Sequence, residues 1–74
     1  MKIINVNSSH VASVTYDAET QVLTVNYLNG RVYNYSAVST FVFDEIVNVS
    51  ANGESVGRYL NAHIYGSYNC TREA

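Results

Sequence analysis

One cysteine in 74 residues leaves no partner for an internal disulfide, and no His/Cys cluster offers a structural metal site. Basic side chains are scarce too. Lys2, Arg31, Arg58 and Arg72 stand against six Asp and Glu, for a net charge of −2. A nucleic-acid polymer is held through several phosphate contacts, each releasing a counterion, and four scattered cations supply little of that field. A polymer of that kind is therefore not an expected partner. A small anion is a different matter, since one or two Arg with backbone N–H groups can hold it. No run approaches the ~18 apolar residues of a membrane span, so no membrane partner is expected. Met1-Lys2-Ile3-Ile4 passes directly into Asn5 without the apolar stretch of a signal peptide. Without secretion, the Asn-X-Ser/Thr matches at Asn7, Asn34, Asn48 and Asn69 carry no meaning. Cys70, alone in a polar segment, fits a reducing cytosol. Linkers, repeats and low-complexity segments are absent.

What is present is apolar and aromatic. Hydrophobic residues make up 47 % of the chain and seven are tyrosines. A single domain this short buries only roughly 60 to 65 % of the surface its unfolded form exposes, which leaves a stability of a few kcal/mol. Part of the apolar surface is then expected to be buried between subunits, in a homo-oligomer.

The clearest structural signal runs from Val22 to Tyr35. Leu23/Val25/Tyr27 and Tyr33/Tyr35 alternate on either side of Asn29-Gly30, the dipeptide that most readily forms a type I′ turn. Thr24, Asn26 and Asn34 point the other way. The result is a hairpin with one apolar, aromatic face that needs a cover. Upstream, residues 10–16 read as a strand with Ala12, Val14 and Tyr16 on one face and Val11, Ser13 and Thr15 on the other. Asp17-Ala18-Glu19-Thr20 reads as a turn begun by the Asp side chain. Three strands, at about 10–16, 21–28 and 31–36, form a meander, and residues 2–7 offer a fourth strand or a subunit contact.

The period changes at Ser39, a good N-cap, with Val38 and Phe43 at the two positions of a hydrophobic staple. Val42, Ile46 and Val49 continue an apolar stripe, and Asp44 and Glu45 lie where the helix dipole favours them. The spacing predicts a helix over about 40–49, ended by Asn52-Gly53. A second helix starts near Ser55, with Val56, Tyr59, Leu60 and Ile64 inward, an i,i+4 pair at Glu54/Arg58, and an end at Gly66. The tail, 69–74, is polar and expected to be loose. The expected fold is α+β: a small antiparallel meander of three or four strands with two helices packed on one face.

The most suggestive chemistry lies in Ser55-Val56-Gly57-Arg58-Tyr59-Leu60-Asn61. With Ser55 as N-cap, Gly57 falls in the first turn, where N–H groups are unsatisfied and an anion can approach closely. Arg58 adds a charge-assisted bond. The same residues also have a structural reading, in which Ser55 caps, Arg58 pairs with Glu54 and Gly57 lets the helix sit close to the sheet. Ser8 and Ser9 form a second hydroxyl cluster, suited to phosphate oxygens or to a turn. Tyr65 and Tyr68, beyond the core stripe, are candidates for stacking on a base or on another subunit. His10 and His63 are the only acid–base candidates, and no nucleophile or carboxylate stands at a telling spacing. Catalysis is not expected, and neither cofactor nor metal is called for.

Taken together, Ser8-Ser9, Val11, Val14, Tyr16-Asp17, Leu23-x-Val25-x-Tyr27, Gly30, Tyr33-x-Tyr35, Val38, Ser55-x-Gly57-x-Tyr59-Leu60-Asn61 and Ile64 resemble the KTSC domain family. The likeness covers about residues 6–68 of one domain, 1–74. Two positions depart from the family pattern: Ser39 stands where proline is usual, and Leu60 where Phe is usual. The family takes its name from a domain at the C-terminus of some lysyl-tRNA synthetases and is common as a stand-alone protein of bacteria and phages. The resemblance to the synthetase domain implies an RNA-binding accessory role. The phage setting implies a non-catalytic sponge in the host cytoplasm, sequestering a cyclic nucleotide that signals infection. Ser8, Ser9, Ser55, Gly57 and Arg58 would then take phosphate, Tyr59 and Asn61 would shape the pocket, and bases would stack on Tyr65 and Tyr68. A structural or adaptor role without ligand is the third reading. On charge the small-ligand reading suits the chain better than RNA does.

Overall fold

The computed structural model describes residues 2–6 and 10–73. Among these the chain forms β1 (Lys2–Asn5), β2 (Val11–Asp17), β3 (Val22–Tyr27), β4 (Val32–Tyr35), α1 (Thr40–Ala51), α2 (Val56–His63) and β5 (Cys70–Arg72). The strands make one antiparallel sheet in the order β1-β2-β3-β4-β5. The meander and the two helices match the sequence reading, and the sheet is larger than expected. Cys70–Arg72, read as part of a loose tail, pairs with β4, Tyr35 opposite Cys70 and Tyr33 opposite Arg72. Backbone bonds extend the pairing at both ends, Ser36 N–H to Asn69 C=O at 3.0 Å and Glu73 N–H to Val32 C=O at 2.8 Å. A polar strand on an edge gains its stability from the ladder and not from burial, so it has no apolar pattern to read.

Alternation places the hairpin faces as expected: Leu23, Val25 and Tyr35 are buried, while Thr24 bonds Asn34 and Asn26 bonds Ser13 across the opposite face. The turn differs. Gly30 has a φ of +89°, but Asn29 does not adopt the positive φ that a type I′ turn requires. Gly30 N–H donates to Tyr27 C=O at 3.1 Å and Tyr27 N–H to Arg31 C=O at 2.9 Å, closing a three-residue loop with glycine in the left-handed position. The Asn29 side chain accepts from Arg31 N–H at 3.0 Å, which fixes the loop. The Asp17 turn forms as read, its carboxylate accepting from Glu19 N–H at 3.0 Å.

In β2 the pairing slips between Val11 and Ser13. This bulge puts Val11 on the same face as Val14 and Tyr16, against the simple alternation that assigned it to the other side, and all three are buried. Tyr16 stacks on Phe43 at 5.2 Å, and its hydroxyl donates to Val38 C=O at 2.5 Å. Val38 and Phe43, the staple pair, meet in the core with Ile46, Val56, Leu60 and Ile64, so both helices cover one sheet face. Burying each such side chain contributes about 1.5 to 3 kcal/mol.

Ser39 occupies the N-cap of α1 without the expected side-chain bond. The Val42 N–H that its hydroxyl would take donates instead to the Ser39 carbonyl at 3.0 Å. At the other end Glu54 N–H reaches Val49 C=O and Gly53 N–H reaches Ser50 C=O, a Schellman closure that uses the positive φ of Gly53 (+76°). No helix among the described residues is long and apolar enough to cross a membrane.

Candidate functional site

α2 opens as the sequence indicates. Ser55 Oγ accepts from Arg58 N–H at 3.2 Å, and the helix itself supplies no acceptor for the N–H groups of Val56 and Gly57. Val56, Leu60 and Ile64 anchor one side of the helix in the core. Residues at offsets of two, three and six from Ser55 are thereby turned towards the strands, and Ser55, Gly57, Arg58 and Asn61 line one cleft of about 460 Å³.

The sheet supplies the rest. His10, just before β2, and Val11 and Tyr27 line the same cleft, and Tyr65 closes it beyond α2. Leu28 N–H donates to His10 C=O at 2.8 Å, which joins the entry of β2 to the hairpin. The Tyr27 and Tyr65 hydroxyls are hydrogen-bonded to each other. Burial pushes the Tyr27 phenol up to about 12, although its bond to Tyr65 acts the other way. Burial first, and then the bond to Tyr27, raise that of Tyr65. Both are neutral hydroxyls at physiological pH. One proton lies between the two oxygens, which leaves the pair one further O–H to donate.

Among the described residues no carboxylate lines this cleft. A hollow of about 530 Å³ on the other side of α2 includes Glu54, which disfavours an anion there. Arg58 borders both hollows and is exposed. Among the described residues it makes no ion pair with Glu54, so the expected i,i+4 pair does not form. The structure thus joins cationic, hydroxyl, amide and aromatic groups in one concave place. Among the described residues no three His, Cys, Asp or Glu side chains are grouped to hold a metal ion.

The model of the KTSC domain matches residues 7–68. The chain belongs to the KTSC domain family. An uncharacterised protein of Stutzerimonas stutzeri is 36 % identical over 61 residues, which covers 82 % of this chain and 80 % of that one. A crystal structure of a KTSC domain protein from Yersinia pestis is similar in fold, with a TM-score of 0.75 at 23 % identity, covering 99 % of this chain and 97 % of that one.

Of the site residues read from the sequence of this KTSC domain, Ser55, Gly57, Arg58, Asn61 and Tyr65 come together. Tyr59 does not line the cleft: its ring meets that of His63 at 4.6 Å in a tilted contact, and its hydroxyl donates to Glu45 on α1. Tyr68 is half-buried against the core and lines no part of the cleft. Ser8 and Ser9 lie outside the described residues. His10 and Tyr27 are the additions. Tyr27 belongs to an alternating strand face that reads as core, and only the approach of Tyr65 from beyond α2 shows it to be a wall.

Proposed function

We propose that this KTSC domain is a non-catalytic binding protein for a small phosphate-bearing nucleotide, which it holds in the cleft between α2 and the β2–β3 strands. In the biological form of this reading it sequesters a cyclic nucleotide signal in the cytoplasm of a bacterial host. The supporting observation is the cleft itself, where Arg58, Ser55, the Gly57 backbone and Asn61 face Tyr27, Tyr65 and His10 with no carboxylate among them. Phosphate would sit at the start of α2, where the dipole and unsatisfied N–H groups favour it, and a base would lie against the tyrosines. A homo-oligomer is the working assembly in this reading, to be checked by the mass of the protein in solution.

A thermal-shift screen with cyclic di- and trinucleotides tests the reading, because a ligand that binds only the native state raises the melting temperature. The Arg58→Ala variant should lose most of that shift while staying folded. A screen with no shift, together with RNA binding that weakens steeply with salt, would favour the RNA-binding reading instead.

A further inference from the structure

Tyr27 walls more than the cleft. The same residue lines a hollow of about 300 Å³ with His10, Leu28 and Asn29, and another of about 310 Å³ with Asn29, Arg31 and Tyr33. His10 and Tyr27 are shared between the first two, and Tyr27 and Asn29 between the last two, so the three hollows adjoin at a single tyrosine and are taken together as a groove. Tyr27 is held in place from two sides, by the hydroxyl of Tyr65 and by Tyr33, whose ring meets it edge-on at 5.5 Å and 90°.

Charge along this groove is segregated. Arg58 lines the first hollow and Arg31 the last, two of the four basic residues of the chain, and none of its six carboxylates lines any of the three. In a chain of net charge −2, the two guanidinium groups are thus the formal charges that line these hollows among the described residues. The other lining residues include Tyr27, Tyr33 and Tyr65, His10, the Asn29 and Asn61 amides and the aliphatic Val11 and Leu28, a surface suited to planar rings and their edge groups.

We infer that Arg31 is a second anion position and that the ligand of the groove carries two phosphate groups, as a dinucleotide does. This inference rests on the nucleotide reading of the cleft and extends it across Tyr27. Arg58 binds one phosphate, Arg31 the other, and the bases lie against Tyr27 and its neighbours. The β3–β4 loop, which reads from sequence as turn chemistry alone, becomes part of the binding surface.

Calorimetric titration of the full chain tests it, with AMP and GMP as one-phosphate probes. Linear pApA and pGpG and the two corresponding cyclic dinucleotides serve as two-phosphate probes, against wild type, Arg31→Ala and Arg58→Ala. Melting temperatures without ligand establish that each variant is folded. The better two-phosphate probe should bind at least about tenfold tighter than its mononucleotide, and each arginine change should weaken it at least about tenfold. Mononucleotide binding should fall with Arg58→Ala and be unmoved by Arg31→Ala. The comparison of linear with cyclic probes shows whether the two phosphates must be joined in a ring. Equal affinity for one- and two-phosphate probes, or dinucleotide binding untouched by Arg31→Ala, overturns the second position and leaves the cleft intact. Failure of every probe to bind wild type, or full binding by Arg58→Ala, overturns the nucleotide reading and the second position with it.

Discussion

The Tyr59 hydroxyl donates to the Glu45 carboxylate at 2.7 Å, a side-chain hydrogen bond that ties α2 to α1. It also turns Tyr59 away from the cleft, so stability and binding separate at this residue. Tyr59→Phe should lower stability by about 1 to 2 kcal/mol, as expected for a partly buried bond to a charged acceptor. Nucleotide affinity should stay within about twofold of wild type. Denaturation midpoints and titration of the variant check the two halves separately.

A second substitution probes the centre of the core. Tyr16 and Val38 are both fully buried, and the Tyr16 hydroxyl satisfies the Val38 carbonyl. Tyr16→Phe preserves the ring and its stacking on Phe43 but leaves that carbonyl without its donor. The expected loss is about 1 to 3 kcal/mol, read as a lower urea midpoint at an unchanged slope.

Alkaline pH should unfold the domain through its phenols. Burial holds Tyr27 and Tyr59 up at about 12 and raises Tyr35 and Tyr65 as well. The folded state therefore keeps protons that the unfolded state releases from about pH 10 upward. The resulting stabilisation is complete below that pH and is lost as pH rises through the folded values. Melting temperature should be flat towards pH 9 and fall steeply between about 10 and 12, in step with tyrosinate absorbance. A melting temperature that stays flat through that window would contradict the burial of these hydroxyls.

Gly57→Ala sets two effects against each other. Alanine in a helix is favoured over glycine by about 0.5 to 1 kcal/mol, so the melting temperature should rise. The added methyl enters the wall of the cleft, so nucleotide affinity should fall. A variant that loses stability instead would show that Gly57 is there for close packing against the sheet.

Much of the local chemistry was readable in the sequence, though the Asn29-Gly30 turn, the Ser39 cap and the Glu54/Arg58 pair came out otherwise, and the pairings without a local signal were not. The Asp17 turn, the Ser55 cap and the Val38/Phe43 staple each depend on residues within a few positions of one another. The bulge that brings Val11 inward, and the strand at Cys70–Arg72, depend on partners far along the chain, which no periodicity records. The candidate site divides the same way. Ser55, Gly57, Arg58 and Asn61 share one side of a helix and announce themselves by spacing. His10 and Tyr27 join them only once the bulged strand, the hairpin and α2 have packed together.

The sheet repeats the order of the chain, strand by strand, and that has a kinetic consequence. From β1 to β4 each new strand needs only the one before it, so these pairings form by short, entropically cheap closures. β5 alone lies beyond both helices, so bringing Cys70 to Tyr35 closes a much longer loop than any other pairing of the sheet. Of the two edge strands, β5 is therefore the one whose closure costs most, and it should be the last rung to form.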